Sequence, residues 1–400
     1  MAKQALAGIR VLDLSEYISG PYCTKMLAAF GAEVIKIEKP GEGDSSRRMG
    51  PFPGDRPHPE KSGLFLYLNT GKKGITLNLR TKTGVKIFKE LLKDADALVE
   101  NFSPGVMREL GLDYETLRAI NPRLVMTSIT HFGQSGPYRG YKAAPIVDYA
   151  LGGHLYITGE ADREPLCGPG SLPEYLGGLY GFFGLMAALY SREETGLGQW
   201  VDVSIMECMA GSHQFTLTRY TYAGDVKRRT GNRYESDYPI TIYPCRDGYV
   251  ALSTSTQTQH ELLHALIGRP ELTDDPRFRT PEDRIQNADA FDEIVLPWLK
   301  ERTKEELFHT CSEWRVPCAP VAGPQELLYD PHFKDRGFWN EMEHPEAGKL
   351  TYPGAPFKMS ETPWQMGRAP LLGEHNEEIY RERLGYSRGD LVRLRQAGVI

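Results

Sequence analysis

No run of apolar residues in this chain is long enough to span a bilayer, and Met1–Arg10 lacks the apolar stretch of a secretory signal. Membrane-spanning and exported classes drop out, and a cytoplasmic protein is the expectation. Cysteine is sparse: six in 400 residues (Cys23, Cys167, Cys208, Cys245, Cys311, Cys318), with no CxxC pair and no zinc-like spacing. Several lie in apolar runs, where a thiol behaves as a small buried hydrophobe, so they read as reduced. Excess positive charge is also missing. A formal net charge of -6 excludes a general nucleic-acid binder, although it leaves room for a local basic pocket around an anionic ligand. Nucleotide loops are absent too. The stretch Gly54–Ser62 (GDRPHPEKS) has Glu60 where a phosphate loop needs glycine, and the turn Asp13–Pro21 contains no GxGxxG. Gly41-Glu42-Gly43 lacks the third glycine and reads as a turn, while Ser171 and Ser204 lack the flanking glycines of a nucleophile elbow.

What is present is an alternation of short apolar runs and helical stretches. Strands are expected at Ile9–Leu14, Glu33–Ile37, Gly74–Leu79, Ala97–Glu100 and Leu124–Ile129, with helices between them such as Tyr22–Phe30 and Thr83–Leu92. That pattern implies βαβ units and a parallel, Rossmann-like sheet, an α/β fold. Residues 139–172 are rich in Gly and Pro and read as loop. A helix follows over Glu174–Ser191, then a strand at Gln199–Val203. A second unit begins near Tyr238, with a strand at Gly248–Ser253 and several amphipathic helices up to Trp314. The expected division is a large domain over 1–222, a smaller α+β domain over 223–330, and a return segment over 331–400 that completes the large domain. The length suffices for two domains with a large core.

One motif tempts a metal reading. His260-Glu261-Leu262-Leu263-His264 matches HExxH, which on a helix would put two imidazoles on one face with Glu261 as general base. The glycine that a metzincin carries three residues after the second His is replaced by Ile267. The competing reading, an amphipathic helix carrying two polar histidines, is preferred, and no metal site is expected.

Several blocks then occur in an order similar to that of the type III (formyl-CoA-transferase-like, carnitine CoA-transferase-like) CoA-transferases. They are Gly8–Pro40 (GIRVLDLSEYISGPYCTKMLAAFGAEVIKIEKP), Val99–Gly105 (VENFSPG), Asn121–Leu124 (NPRL), Phe132–Tyr138 (FGQSGPY), Thr195–Val203 (TGLGQWVDV) and Val316–Val321 (VPCAPV). The resemblance covers nearly the whole chain, and it implies a coenzyme A thioester as substrate with no permanently bound cofactor. It also implies a dimer of two interlocked chains, or a heteromer with a related subunit. CoA carries several phosphate charges, which Lys, Arg and helix N-termini bind. Lys39, Arg47, Arg48, Lys72, Lys73, Arg139 and Lys142 all fall in expected loops or strand ends of the first unit. The family match implies that Lys39, Asn101, Phe102 and Lys142 contact CoA.

Members of this family attack the acyl-CoA with one aspartate at the start of a helix. Here the matching register, Leu172-Pro173-Glu174-Tyr175-Leu176-Gly177-Gly178-Leu179-Tyr180, places Glu174 at that position. Pro173 suits a helix start, where a carboxylate is favoured electrostatically. Glutamate reaches about 1.5 Å further, and misplacement of that order costs ~100-fold in rate. Three readings stay open: Glu174 is a nucleophile in a reshaped pocket, this chain is the non-catalytic subunit of a heteromeric transferase such as succinyl-CoA:benzylsuccinate CoA-transferase, or the residue has no chemical role. The 2-methylacyl-CoA racemases of the superfamily use a His that would fall at Pro145, which argues against racemisation; Asp148 is near that pattern but offset. The leading expectation is transfer of CoA from an acyl-CoA such as succinyl-CoA to an organic carboxylate.

Overall fold

The computed structural model describes residues 4–400, which form two compact units. The first holds the described residues up to His154 together with Gly168–Phe215 and His332–Ile400; the second holds Leu155–Cys167 and Thr216–Pro331. Residues 155–167, which the sequence-based boundary assigns to the large domain, thus pack with the second unit.

The first unit is built on a six-stranded sheet. Its strands and main helices run β1 (Arg10–Asp13), α1 (Ser19–Ala29), β2 (Glu33–Glu38), β3 (Lys73–Thr76), α2 (Lys82–Leu92), β4 (Ala97–Glu100), β5 (Val125–Thr130), α3 (Pro145–Leu151), α4 (Leu172–Thr195), β6 (Trp200–Ser204) and α5 (Ile205–Gly211). The strand order is β3-β2-β1-β4-β5-β6 and every pairing is parallel. Such a sheet needs cover on both faces, so its strands read as nearly continuous apolar runs. Strand alternation then sorts the side chains. Val11, Val34, Ala97, Val99 and Val125 meet Cys23 and Leu27 of α1 and Leu185 and Leu189 of α4. Their neighbours Leu12, Ile35, Leu98 and Met126 meet Ile87, Phe88 and Leu91 of α2 on the opposite face.

The outer edge of β3 is closed by residues far along the chain. The Thr76 N–H donates to Oδ1 of Asn376 (2.9 Å), the Gly74 N–H donates to Nδ1 of His375 (3.0 Å), and the Tyr380 hydroxyl donates to the Thr76 carbonyl (2.7 Å). An open strand edge is a template for unwanted pairing, and these contacts occupy it. One expectation fails inside 139–172: Pro145–Leu151 is a helix rather than loop. Pro145 is responsible for both the expectation and its failure. It punctuates the sequence like a turn residue, but at the first helical position its fixed φ favours the helix.

The second unit carries an antiparallel three-stranded sheet ordered β7 (Ile240–Cys245), β8 (Gly248–Ser253) and β9 (Cys318–Pro320). It packs with α6 (Gln257–Leu266), α7 (Ala288–Lys300) and α8 (Lys304–Glu313) around Val250, Leu252, Leu263, Phe291, Val295 and Leu307. His260 and His264 of α6 are both buried. Both ring nitrogens of His260 are occupied, Nε2 against Asp237 Oδ2 (3.2 Å) and Nδ1 against Thr254 Oγ1 (3.2 Å), while His264 Nδ1 meets Thr273 Oγ1 (3.1 Å). Burial pushes the His264 imidazole down to about 4, so it is a neutral core group. Among the described residues no helix is long and apolar enough to cross a membrane.

Candidate active site

In a sheet of this order the chain reverses its winding direction between β1 and β4, and a crevice opens at the carboxyl ends of those strands. Two segments enter it, the loop after β1 and the residues after β4. The β1 loop rests on a buried ionic cluster. Asp13, fully enclosed, pairs with Lys72 (2.9 Å); Lys36, also fully enclosed, pairs with Asp44 (2.7 Å) and donates to the Ser15 carbonyl (2.8 Å). Burial opposes ionisation of Asp13, but Lys72, Lys36 and hydrogen bonds from Ser15 and Thr24 outweigh it and hold the carboxyl down to about 2. Asp44 also accepts the Tyr17 backbone N–H (3.1 Å). Tyr17 sits in the left-handed region at φ 73°, a costly conformation for a residue with a side chain, and lines the crevice. The cluster thus holds a strained loop in place.

Two cations offered by the sequence as phosphate ligands belong instead to this scaffold. Lys72 is spent on Asp13, and Arg47 is enclosed by Glu38 and Glu60, each at 2.6 Å. Lys73 pairs with Glu33 and Glu378, and Arg48 donates to the Glu42 carbonyl (2.9 Å). Burying an unpaired charge is costly, so Lys72 and Arg47 come with their carboxylates, and sequence alone does not reveal the pairing.

The crevice holds a cavity of about 220 Å³ that brings together Asn101, Phe102, Lys142 and Glu174. The fifth expected residue, Lys39, lies on the rim of a neighbouring cavity of about 470 Å³, and Phe102 lines both. Lys39 is half exposed and pairs with Glu16 (2.9 Å). Asn101 bridges to the β1 loop: its Oδ1 accepts the Glu16 N–H (2.8 Å) and its Nδ2 donates to the Glu16 carbonyl (2.7 Å). Its side chain therefore builds the wall. The Phe102 N–H donates to Glu100 Oε2 (2.8 Å), a buried carboxyl that burial pushes up to about 7. Lys142 and Arg139 are exposed at the cavity with no ion pair among the described residues.

Glu174 occupies the first turn of α4 and is 5% exposed. The helix packs this closely because it turns glycine toward α1 and toward the sheet. A Cβ on Gly178 would lie 2.4 Å from the Ser19 carbonyl oxygen, and one on Gly181 would lie 2.6 Å from Ile129 Cδ1. Oε2 of Glu174 has no hydrogen-bond partner among the described residues. Burial raises the Glu174 pKa and Asp148 adds to this, with a Ser171 hydrogen bond and the His131 charge opposing.

Sequence reasoning missed His131. It follows the last residue of β5, lines the same cavity, and its Nδ1 lies 2.8 Å from Oδ2 of fully buried Asp148. The only usable signal was its place at the carboxyl end of a parallel strand, where such sheets carry their ligand contacts. Asp148 rides on α3, the helix the sequence did not foretell. The cavity can therefore present a carboxylate oxygen, an oriented imidazole and two exposed cations to one ligand.

The chain matches CoA-transferase family III over residues 6–376. It is 35% identical to the succinyl-CoA–D-citramalate CoA-transferase of Chloroflexus aurantiacus over 399 residues, covering 99% of this chain and 98% of that one. It is also 35% identical over 404 residues to the succinyl-CoA–L-malate CoA-transferase beta subunit of the same organism, covering 99% and 98%. Among solved structures, a CAIB/BAIF family protein from Brucella suis superposes with a TM-score of 0.85 at 31% identity, covering 95% of this chain and 99% of that one. With a buried carboxylate lining the crevice at the head of α4 and a match along nearly its whole length, the chain belongs to CoA-transferase family III, whose members transfer CoA between thioesters and acids.

Proposed function

We propose that this chain takes CoA from an acyl-CoA such as succinyl-CoA and passes it to a small organic carboxylate through acyl derivatives of Glu174. The observation that carries the reading is the Glu174 carboxylate, buried in a crevice cavity with Oε2 unpartnered among the described residues. A Glu174 oxygen attacks the thioester carbonyl, the C–S bond breaks, and a mixed anhydride and CoA thiolate result. The thiolate then attacks the Glu174 carbonyl carbon, releasing the donor acid and leaving a glutamyl-CoA thioester. The acceptor carboxylate attacks that thioester, and the thiolate released takes the acceptor's acyl group and frees Glu174. Each step exchanges one activated acyl group for another, so little energy is lost.

CoA would lie across both cavities. The larger is lined by Leu77, Leu79 and Val106, which suit an adenine ring, and by Lys39 and Arg80, which suit phosphates; of its glutamates, Glu16 pairs with Lys39 and Glu38 with Arg47. The pantetheine arm would then pass Phe102 toward Lys142 and Glu174. Hydroxylamine trapping during turnover, followed by peptide mass spectrometry, tests the reading: the peptide bearing Glu174 should be labelled, and absence of label removes the covalent route. Glu174→Asp should cost ~100-fold, since the carboxylate would withdraw from the thioester.

A second reading makes this chain the supporting subunit of a heteromeric transferase. The departure from aspartate motivates it, and the L-malate enzyme among the relatives has alpha and beta subunits. Assay of the chain alone, and then with a co-expressed relative, separates the two. A third, proton transfer at the α-carbon of the acyl group, rests on His131 sharing a cavity with Glu174. Deuterium uptake from solvent into acyl-CoA without an acceptor would reveal it.

A further inference from the structure

The transfer steps above make no use of His131. The residue follows Thr130, the end of β5, so the sheet fixes its backbone. Its Nδ1 faces Oδ2 of Asp148 at 2.8 Å, and Asp148 has no exposed surface. An imidazole held this way has its orientation set: Nδ1–H faces the carboxylate, and in the imidazolium Nε2 carries a second proton on the opposite side of the ring. Nε2 has no hydrogen-bond partner among the described residues, and the side chain keeps 33% exposure within the cavity that holds Glu174.

We propose that His131 is a catalytic residue of the transfer, donating Nε2–H to the negative charge that leaves Glu174, first on the thioester oxygen and then on the CoA sulfur. The inference rests on the reading of Glu174 and CoA just given. Its electron balance is simple. When Glu174 attacks, one C–O bond forms and the carbonyl π pair moves to the thioester oxygen. When the adduct collapses, that pair re-forms the carbonyl and the C–S pair departs on sulfur. No proton has to be transferred. The unit of charge that began on Glu174 ends on the thiolate, and the imidazolium accompanies it while Asp148 neutralises the ring. A thiolate held as an ion pair also stays poised to attack the anhydride, whereas a fully protonated thiol would not.

The electrostatics agree with this role. Burial works against the imidazolium, but the Asp148 hydrogen bond and charge, with the charge of Glu174, hold the His131 pKa above its ordinary value. The other charged or titratable side chains lining the cavity are Tyr17, Arg139, Tyr141 and Lys142. The lysine and arginine are exposed, whereas His131 is half-buried and held against the enclosed Asp148 carboxylate.

The test uses CoA itself, bound to the Glu174→Gln protein so that no turnover intervenes. Thiolate absorbance of bound CoA is titrated with and without the additional change His131→Ala, and calorimetry confirms binding in both. The thiol pKa should be lower by about one unit or more where His131 is present. Asp148→Asn should give an intermediate value, because the ring stays but loses its anionic partner. In the otherwise wild-type chain, His131→Ala should lower kcat by ~10²–10³-fold and remove the alkaline limb of the pH–rate profile. If His131→Ala does not fold, His131→Phe preserves the ring volume for the same measurements. Identical thiol titrations with CoA bound in both would overturn the role of His131 and leave the Glu174 reading standing. Failure of CoA to bind at all would take both down.

Discussion

Two groups of charges lie within the first unit and differ in one respect. Beneath the β1 loop, Asp13, Lys36, Asp44, Lys72, Arg47 and Glu38 are buried and matched, cation to carboxylate. Around the cavity and among the described residues, Glu174 and His131 each keep a polar atom without a partner, and Lys142 and Arg139 carry no ion pair. The same residue types serve both groups. Matched charge fixes a backbone; unmatched charge at the carboxyl end of a parallel sheet is available to a substrate. This explains why counting basic residues in loops overestimates a phosphate site.

The contrast can be broken most sharply at Glu174. Glu174→Gln keeps the shape and removes the nucleophile, so turnover should fall by more than ~10³-fold, above about 4 kcal/mol in barrier, with the melting curve unchanged. Activity of the wild type should also decline toward acid pH, with an apparent pKa above the ordinary carboxylate range, because burial raises Glu174 and only its ionised form attacks.

On the matched side the effect should appear in stability. Lys72→Met leaves Asp13 enclosed without its partner and should cost about 3–5 kcal/mol in denaturant unfolding. The sign of the acid effect follows from Asp13 itself, whose folded pKa is lowered to about 2. Its contribution is complete above the unfolded value of about 4 and is lost as pH falls from there toward 2, a change on the order of 2 kcal/mol.

A smaller difference should separate the lysines. Lys142→Ala should weaken CoA binding by about 1.5–3 kcal/mol in isothermal titration, as for loss of a charge-assisted contact. Lys39→Ala should fall at the lower end of that range, since Lys39 already pairs with Glu16. Unchanged affinity in both would remove CoA from this crevice. Least of all should His260→Ala affect activity or metal content, although losing its bonds to Asp237 and Thr254 should cost about 1–3 kcal/mol of stability. Stoichiometric zinc lost in that variant would reverse the reading of His260 as a core residue.

How far the sequence could be read follows from the range of the interactions involved. Strands β1, β2, β4 and β5 are visible because burial on both faces writes them as short apolar runs, and Ala97–Glu100 is found at the expected residues. Glu174 was picked out by the resemblance to the family's register ahead of Gly177-Gly178-Leu179-Tyr180, and it lies in the first turn of α4. Helix α3 was hidden by its own Pro145. His131 and Asp148 were hidden because their pairing joins a strand end to that unforeseen helix, and no local period encodes it. Arg47 and Lys72 were misjudged for the same reason: Lys72 and Asp13 lie 59 positions apart in the chain.

The closure of β3 bears on how the protein is made. Thr76 waits for Asn376, 300 residues later, to occupy its outward N–H. At roughly 5–20 residues per second of synthesis, that interval is about 15–60 s during which β3, once formed, offers a bare edge to any neighbouring chain. Nascent copies on one message are close together and equally unprotected, so crowding at this stage, rather than instability of the finished fold, is where yield would be lost. A chaperone that shields exposed strand edges during translation should therefore raise recovery of this protein more than one that acts after release.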